Sequence, residues 1–277
     1  MLDPFHFDNI DAQSYDHDYA TLQKMLRSAR HNGSQVFRFE QLESIPDFTH
    51  GIAGRQPEGS AEQAVHGFLA AETGVHPNAI VLLRQVHSDI VLRVDEQLEL
   101  PRHREEPVRL GVGDAVVCTR PGLFPAIRTA DCLPVLAVEP SRRVLALIHS
   151  GWRGTFARVV EKGLRALLSE TGVRRERVLV GIGPGIRACC YEVGPDVFEQ
   201  FAAAGHDLSA IQQGRLLDLA AAVRFQIRAV GIDQVFDCGR CTCCESAAFP
   251  SFRRDQSTER IWTYAGFLNP GQELGAE

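Results

Sequence analysis

The chain has 277 residues, 44% of them hydrophobic and 23% charged, with 24 Gly, 14 Pro and a formal net charge of −6. That composition excludes a collagen-like repeat, a coiled coil and wholesale disorder. The acidic balance argues against a general nucleic-acid binder, which needs a basic footprint. There is no apolar run of about 18 residues to span a bilayer. The polar, acidic start (MLDPFHFDNIDAQSYDHDY) lacks the basic and apolar regions of a secretory signal. A cytoplasmic chain with no membrane or nucleic-acid partner is therefore expected, with its eight cysteines as thiols or metal ligands rather than disulfides.

In chain order, residues 1–35 read as an N-terminal appendage and 36–277 as a single domain. Within the appendage, the spacing of Leu22, Met25 and Leu26 predicts a helix over Tyr19–Arg30, with Gly33 beyond it. Ser60-x-x-Gln63 is a capping box for a helix that stops at Gly74. Ala79–Val94 predicts two strands with Gln85–Asp89 between or within them, and 99–110 a charged surface loop. Strands follow at Asp114–Thr119, Pro134–Glu139 and Arg143–His149. The period then changes to 3.6, and Phe156, Val159, Val160, Leu164 and Leu167 form one helical stripe ending at Gly172. Val178–Ile182 returns to strand. Pro195 and Asp218 open two further helices, and Arg260–Phe267 is a last strand. Consecutive strands without strict alternation point to a single α+β domain, sheet covered by helices.

Familiar catalytic strings are absent. Gly181-Ile-Gly-Pro-Gly185 fails as a dinucleotide fingerprint because Pro184 sits in the turn and no third glycine follows on a helix. There is no G-x-S-x-G elbow and no H-E-x-x-H pair. Cys238-x-x-Cys241 looks like half a zinc ribbon, but no second pair follows downstream. Cys238, Cys241, Cys243 and Cys244 crowd four thiols into seven residues, too tight for one segment to wrap a tetrahedral ion, so a thiol-rich turn is expected there.

Polar residues at strand ends remain. His87, Cys132 and His149 offer two imidazoles and a thiolate, donors suited to zinc or copper, and three protein ligands leave a fourth position open. The plain alternative is a satisfied histidine at a strand end and a small buried cysteine. His149-Ser-Gly-Trp-Arg-Gly154 adds a tight turn into a helix, whose first amides would favour an anion beside Arg153.

Gln85-Val-His87, Thr129-Ala-Asp-Cys-Leu-Pro134 and His149-x-Gly-Trp-Arg-Gly154 together resemble the laccase-domain family. So do Gly183-Pro-x-Ile186, Cys190-Tyr-Glu-Val-Gly194, Cys241-Thr242 and Ser251-Phe-Arg-Arg-Asp255. That family is also called polyphenol oxidase-like or peptidoglycan editing factor. The blocks run in order over about residues 36–267. The resemblance implies an αββα-type layered fold with mixed sheet. It also implies a metal-dependent purine nucleoside phosphorylase that deaminates adenosine, a monomer or homodimer using a nucleoside and phosphate. The nucleosides expected are adenosine, inosine and, as a third candidate, methylthioadenosine. His87, Cys132 and His149 would hold zinc, or copper as the alternative. Arg153 would hold phosphate, with Arg55 and Gly154 also at the substrate. Asp131 and Glu192 would move protons or orient a histidine. Phe48-Thr-His-Gly-Ile-Ala-Gly-Arg55 departs from the family pattern, because a Ser/Asn-rich loop that lines the site is missing, leaving His50 and Arg55 to fill that region. One rival reading is a metal-free thiol hydrolase or deamidase, with Cys132 as nucleophile and His149 as base. Two weaker ones are a copper polyphenol oxidase, which ten histidines without an H-x-H motif serve poorly, and a non-enzymatic binding module.

Overall fold

Two apolar runs dictate the centre of the molecule. In the computed structural model, which describes residues 25–31, 34–55, 62–100 and 106–269, Leu133–Glu139 and Val144–Ser150 are strands buried along their whole length. A strand buried on both faces needs a covering layer on each. The alternate side chains divide accordingly: Val135, Ala137, Ala146 and Ile148 join a core shared with helices. Leu136, Val138, Leu145 and Leu147 join a second core that faces another sheet. Each of the Val, Leu and Ile side chains among these contributes roughly 1.5–3 kcal/mol by leaving water.

The strands in order are β1 (Leu26–His31), β2 (Ser34–Phe39), β3 (Phe48–Ala53), β4 (Ile80–Arg84), β5 (Val91–Val94), β6 (Val108–Val112), β7 (Ala115–Cys118) and β8 (Phe124–Thr129). They continue as β9 (Leu133–Glu139), β10 (Val144–Ser150), β11 (Leu179–Ile182), the small ribbon β12–β13 (Gln212–Gln213, Leu216–Leu217), β14 (Val235–Asp237) and β15 (Ile261–Phe267). The main helices are α1 (Glu62–Thr73), α2 (Trp152–Phe156), α3 (Val159–Leu168), α4 (Pro195–Ala203) and α5 (Leu219–Ala229).

One sheet runs β1-β2-β3-β15-β8-β4-β6 and the other β14-β11-β9-β10-β7-β5. Both are mixed: β4–β8 and β5–β7 are parallel, for example, whereas β15–β3 and β10–β9 are antiparallel. The two sheets pack face to face. Leu69 of α1 packs with Ile80, Leu82 and Trp262 on the outer face of the first, and α3, α4 and α5 cover the outer face of the second. The fold is thus α+β in four layers, helix, sheet, sheet, helix. Among the described residues, no helix is long and apolar enough to cross a membrane.

Helix ends follow the local signals. Pro195 stands in the first turn of α4, and the Asp218 side chain accepts the Ala221 amide 2.8 Å away at the start of α5. Ser60 of the capping box lies outside the described residues, but α1 and the stop at Gly74 (φ 64°) are where the spacing puts them.

Elsewhere the structure corrects the pattern. Leu26–His31 is not helical. It pairs residue by residue with Ser34–Phe39 as the edge of the first sheet, while Tyr19–Lys24 lie outside the described residues. The stripe from Phe156 to Leu167 is two helices, because Arg158 takes a left-handed conformation (φ 64°) between them. Its guanidinium is anchored by Glu161 (3.0 Å) and the Ala204 carbonyl (3.2 Å). Val108–Val112 is a strand rather than the end of a loop, and β2, β3 and β8 are strands that the sequence pattern does not single out.

Candidate functional site

Three chain segments meet at one end of the sheets. Antiparallel pairing sets His149 opposite Pro134 and Ser150 opposite Leu133. Cys132, the residue before β9, therefore comes up beside His149. His87 arrives on the loop between β4 and β5. Gln85 anchors that loop to β8, donating to the Arg128 carbonyl (2.7 Å) and accepting its amide (2.8 Å). His87 itself has a φ of 60°, a conformation uncommon outside glycine.

Asp114 holds it there. Its carboxylate accepts the amides of Val86, His87 and Ser88 at 3.2, 3.0 and 2.6 Å and the Ser88 hydroxyl at 2.7 Å. The same fully buried group accepts Nδ1–H of His149 at 2.8 Å. That bond fixes the His149 tautomer and leaves Nε2 free to face the site. Asp114 is the organising residue that sequence reasoning missed. The available signal was a carboxylate inside the apolar run Val112-Gly-Asp-Ala-Val-Val117, where burial obliges it to collect donors.

The donor atoms of His87, Cys132 and His149 all lie within 4.8 Å of one another. Cys132 Sγ is 3.7 Å from His87 Nε2, and the two imidazole rings meet edge to face with centroids 4.9 Å apart. Gly151 keeps the space between them clear: a Cβ there would fall 2.8 Å from both Cys132 Sγ and His87 Cδ2. Donor chemistry, spacing and this cleared cradle fit a single metal ion.

The electrostatics couple the same groups. Burial opposes ionisation of Cys132, but the charge of His149 and hydrogen bonds from His149 and His87 outweigh it and bring its pKa down to about 6. Burial likewise opposes charge on His149, yet the Cys132 sulfur and Asp114 push it up to about 9. Asp114 is held well below the usual carboxylate range, its burial overcome by His149 and Ser88. In the metal-free chain Cys132 and His149 thus form a thiolate–imidazolium pair.

These residues form the floor of a cavity of about 720 Å³. Arg128, Arg153, Arg253 and Arg260 line it, with Trp152, Tyr191 and Phe252, against one carboxylate among the described residues, that of Asp131. Arg153 is exposed, and its guanidinium stacks 4.2 Å above the Trp152 ring. The Arg253 guanidinium lies 5.4 Å from the Tyr191 ring centroid and donates to the Glu192 carbonyl at 2.9 Å.

The other sequence candidates have different positions. Asp131 lines the cavity, but its two oxygens are occupied, one by the Thr242 hydroxyl and one by the Arg253 amide, each at 2.7 Å. Asp131 fastens the loop leading to Cys132. Glu192 does not line the cavity; its carboxylate pairs with Arg215 at 3.0 Å and is about half exposed. The histidine-orienting carboxylate is Asp114, not either of these.

Arg55 also stands outside the cavity lining. It binds Glu259 (2.5 Å), Asp255 (3.1 Å) and the Ser246 carbonyl (3.1 Å), bracing the segment that carries Phe252, Arg253, Gln256 and Thr258 to the wall. Gly154 is buried, and a Cβ would meet the Ser88 carbonyl at 3.0 Å, so its role is close packing. His50 does not fill the place of the absent loop. It is core: Nε2 accepts the Phe39 amide at 2.9 Å, and burial, aided by Arg38, lowers its pKa to about 3. The helix expected to greet an anion after His149 is only the five-residue α2, too short to sum much of a dipole. Positive charge in the cavity comes from the arginines.

The family model described as multi-copper polyphenol oxidoreductase laccase matches residues 59–267. A purine nucleoside phosphorylase of Deinococcus radiodurans is 37% identical over 201 residues, 72% of this chain and 74% of that one. Adenosine deaminase RL5, from an unknown prokaryotic organism, is 32% identical over 194 residues, covering 67% and 74%. The crystal structure of Bacillus licheniformis hypothetical protein YfiH shares the fold, with a TM-score of 0.74 over 86% of this chain and 100% of that one at 22% identity. The chain therefore belongs to the polyphenol oxidoreductase laccase family, among whose relatives of this chain are a purine nucleoside phosphorylase and an adenosine deaminase.

Proposed function

We propose that the protein is a metal-dependent purine nucleoside phosphorylase acting on adenosine and inosine, and that the same site deaminates adenosine. The observation that carries this reading is the meeting of two imidazoles and one thiol at the floor of an arginine-rich, aromatic-lined cavity. Three donors with open space opposite suit a catalytic zinc rather than a structural one; copper is the alternative these donors also accept. When bound, the ion supplies Lewis acidity, polarising water or a substrate oxygen.

The chain's own groups supply the rest. Asp114 fixes His149 and the His87 loop, so the donor set is preorganised. Arg153, whose side chain makes no hydrogen bond or ion pair among the described residues, offers its planar fork to phosphate, with Arg253 also lining the cavity. Trp152, Tyr191 and Phe252 offer faces for a purine. In phosphorolysis a phosphate oxygen bonds to C1′ of the ribose as the C1′–N9 bond breaks, and the purine leaves with that electron pair and takes up a proton. With Asp131 and Glu192 committed to other bonds, the Tyr191 hydroxyl is the donor we place at the purine.

The test is to follow adenine, hypoxanthine and inosine separately by chromatography from metal-loaded protein. Free base should appear only with phosphate, and inosine should appear from adenosine without it. Absence of both products would sink the reading. One observation favours a second reading: Cys132 Sγ lies within 4.8 Å of a ring nitrogen of His149, whose Nδ1 is held by the Asp114 carboxylate. Hydrolysis of an amide or ester by chelator-treated protein, abolished by alkylating Cys132, would select it. Phenol oxidation by several coppers is poorly served, since the histidine-containing group found among the described residues offers two imidazoles and one thiol, fewer than a multicopper centre requires.

A further inference from the structure

Outside the cavity a second group of donors converges. Cys189, Cys190, Cys241 and Cys244 place their four sulfurs within 4.8 Å of one another. Cys190 and Cys244 are 3.3 Å apart and Cys189 and Cys244 3.6 Å, all as free thiols. We propose that these four cysteines bind a second metal ion, a structural zinc in a tetrathiolate site that ties the loop after β11 to the loop after β14.

The distances fit the ion. Zn–S bonds of about 2.3 Å in a tetrahedron put the sulfurs roughly 3.8 Å apart, inside the range seen. All four positions are then taken by protein, the closed arrangement of a structural site. None of the four cysteines lines the cavity above His87.

The backbone builds the site before any metal arrives. Gly185 bridges to Cys241: its amide donates to the Arg240 carbonyl at 3.3 Å, and its carbonyl accepts the Thr242 amide at 3.2 Å. Each loop then closes a tight turn that carries two of these four thiols. The Cys190 amide donates to the Arg187 carbonyl at 2.9 Å, and the Glu245 amide to the Cys241 carbonyl at 3.0 Å. Cys241-Thr-Cys-Cys244 has the C-x-x-C spacing of one half of a zinc site. Cys238 does not join, being fully buried with its sulfur 3.8 Å from Arg187 Nη2.

A tetrathiolate zinc carries a net charge of −2 and releases one proton from each thiol, with no change of oxidation state. Arg254, which also pairs with Asp255, donates to the carbonyls of Thr242 (2.7 Å) and Cys243 (2.8 Å) on one turn, and Arg187, paired with Asp237, lies within the other. The two loops support the catalytic wall from behind: Thr242 donates to Asp131, next to Cys132, and Tyr191 follows Cys190 directly. The site is independent of the reaction assigned to the cavity.

The full-length chain, expressed with zinc and purified without chelator, should contain about two zinc ions. The double variant Cys189→Ser/Cys244→Ser alters two exposed side chains and should hold about one. The variant His87→Ala/His149→Ala should keep the tetrathiolate ion. Reconstituted with cobalt, it should show the thiolate-to-cobalt charge transfer and intense visible bands of a tetrahedral sulfur site, a readout that needs no cysteine variant to fold. Loss of all metal in His87→Ala/His149→Ala, or a cobalt spectrum there without those bands, would overturn the site. So would an intact mass lacking two hydrogens with Cys190 and Cys244 linked in the peptide map, which would make the cluster a disulfide.

Discussion

Two thiol-containing clusters among the described residues differ in almost every respect except compactness. At His87, Cys132 and His149 the donors are mixed, a buried Asp114 orients two of the three segments, and a cavity opens above them. At Cys189, Cys190, Cys241 and Cys244 the donors are uniform, two are exposed, and main-chain turns rather than a buried charge position them. A site that must leave room for substrate cannot be fixed by its metal on all sides, so its geometry has to be held from behind. A closed site can leave that task to the ion. This difference sets the order in which substitutions should be felt.

The largest effect is expected at the first cluster. His149→Ala removes one of three donors and the partner of Asp114, so nucleoside turnover should fall by about a thousandfold or more. One metal equivalent should be lost while the tetrathiolate ion stays. Full metal content in this variant, measured by elemental analysis, would break the distinction between the clusters.

Asp114→Asn comes next. It keeps the shape but sets an amide NH₂ among groups that are already donors, and leaves at least one of them unmatched. Metal affinity should fall by about a hundredfold, and the metal-free chain should lose about 3 kcal/mol in denaturant unfolding. An unchanged metal affinity would show that the ion alone organises the site.

Arg153→Ala should then separate the two reactions. A charge-assisted hydrogen bond is worth about 1.5–3 kcal/mol, so phosphorolysis should drop by roughly tenfold to a hundredfold, while deamination, which holds no phosphate, changes little. Arg153→Lys should restore only part, because a point charge lacks the planar fork. Equal loss of both products in Arg153→Ala would make the stack on Trp152 structural.

The contrast also marks what a sequence discloses. His87, Cys132 and His149 stand out as polar groups beside apolar strands: the continuous apolar run Val144–Ile148 delivers His149 near the end of its strand, Cys132 directly precedes Leu133–Glu139, and His87 lies on the loop after Ile80–Arg84. Asp114 does not stand out, since its partners are main-chain amides supplied by a loop 26 to 28 residues away. The thiols of residues 238–244 are conspicuous, but pairing them within one segment leads nowhere. The partners sit at 189–190, brought over by the bridge between Gly185 and Cys241. Nor does local spacing decide Leu26–His31, where only Leu26 is buried among residues 26–30 and six paired positions on Ser34–Phe39 impose the strand. Nothing in composition marks Arg158 as a helix break, because its anchor, Ala204, lies far along the chain.

The smallest effect compares the thiols directly in chelator-treated protein. Burial opposes the Cys132 thiolate, but His149 and His87 bring its pKa to about 6. Burial and its sulfur neighbours push Cys189 up to about 12. A lowered thiol pKa means the thiolate is present above that value and is lost as pH falls through it. Alkylation of Cys132 by iodoacetamide should therefore rise to about pH 6 and then level off, whereas Cys189, although exposed, should still be gaining at pH 9 and beyond. The gain at neutral pH is modest. A pKa of about 6 rather than 9.0 raises the thiolate fraction at pH 7 by nearly a hundredfold over an ordinary thiol, but with a Brønsted slope of about 0.4–0.5 the weaker nucleophilicity takes back about twentyfold. Cys132 should thus react about four times faster than an ordinary thiol, and one equivalent of zinc should suppress it. If its rate climbs tenfold per pH unit up to pH 8.5, the thiolate–imidazolium pair is absent, and Asp114 does not hold His149 charged.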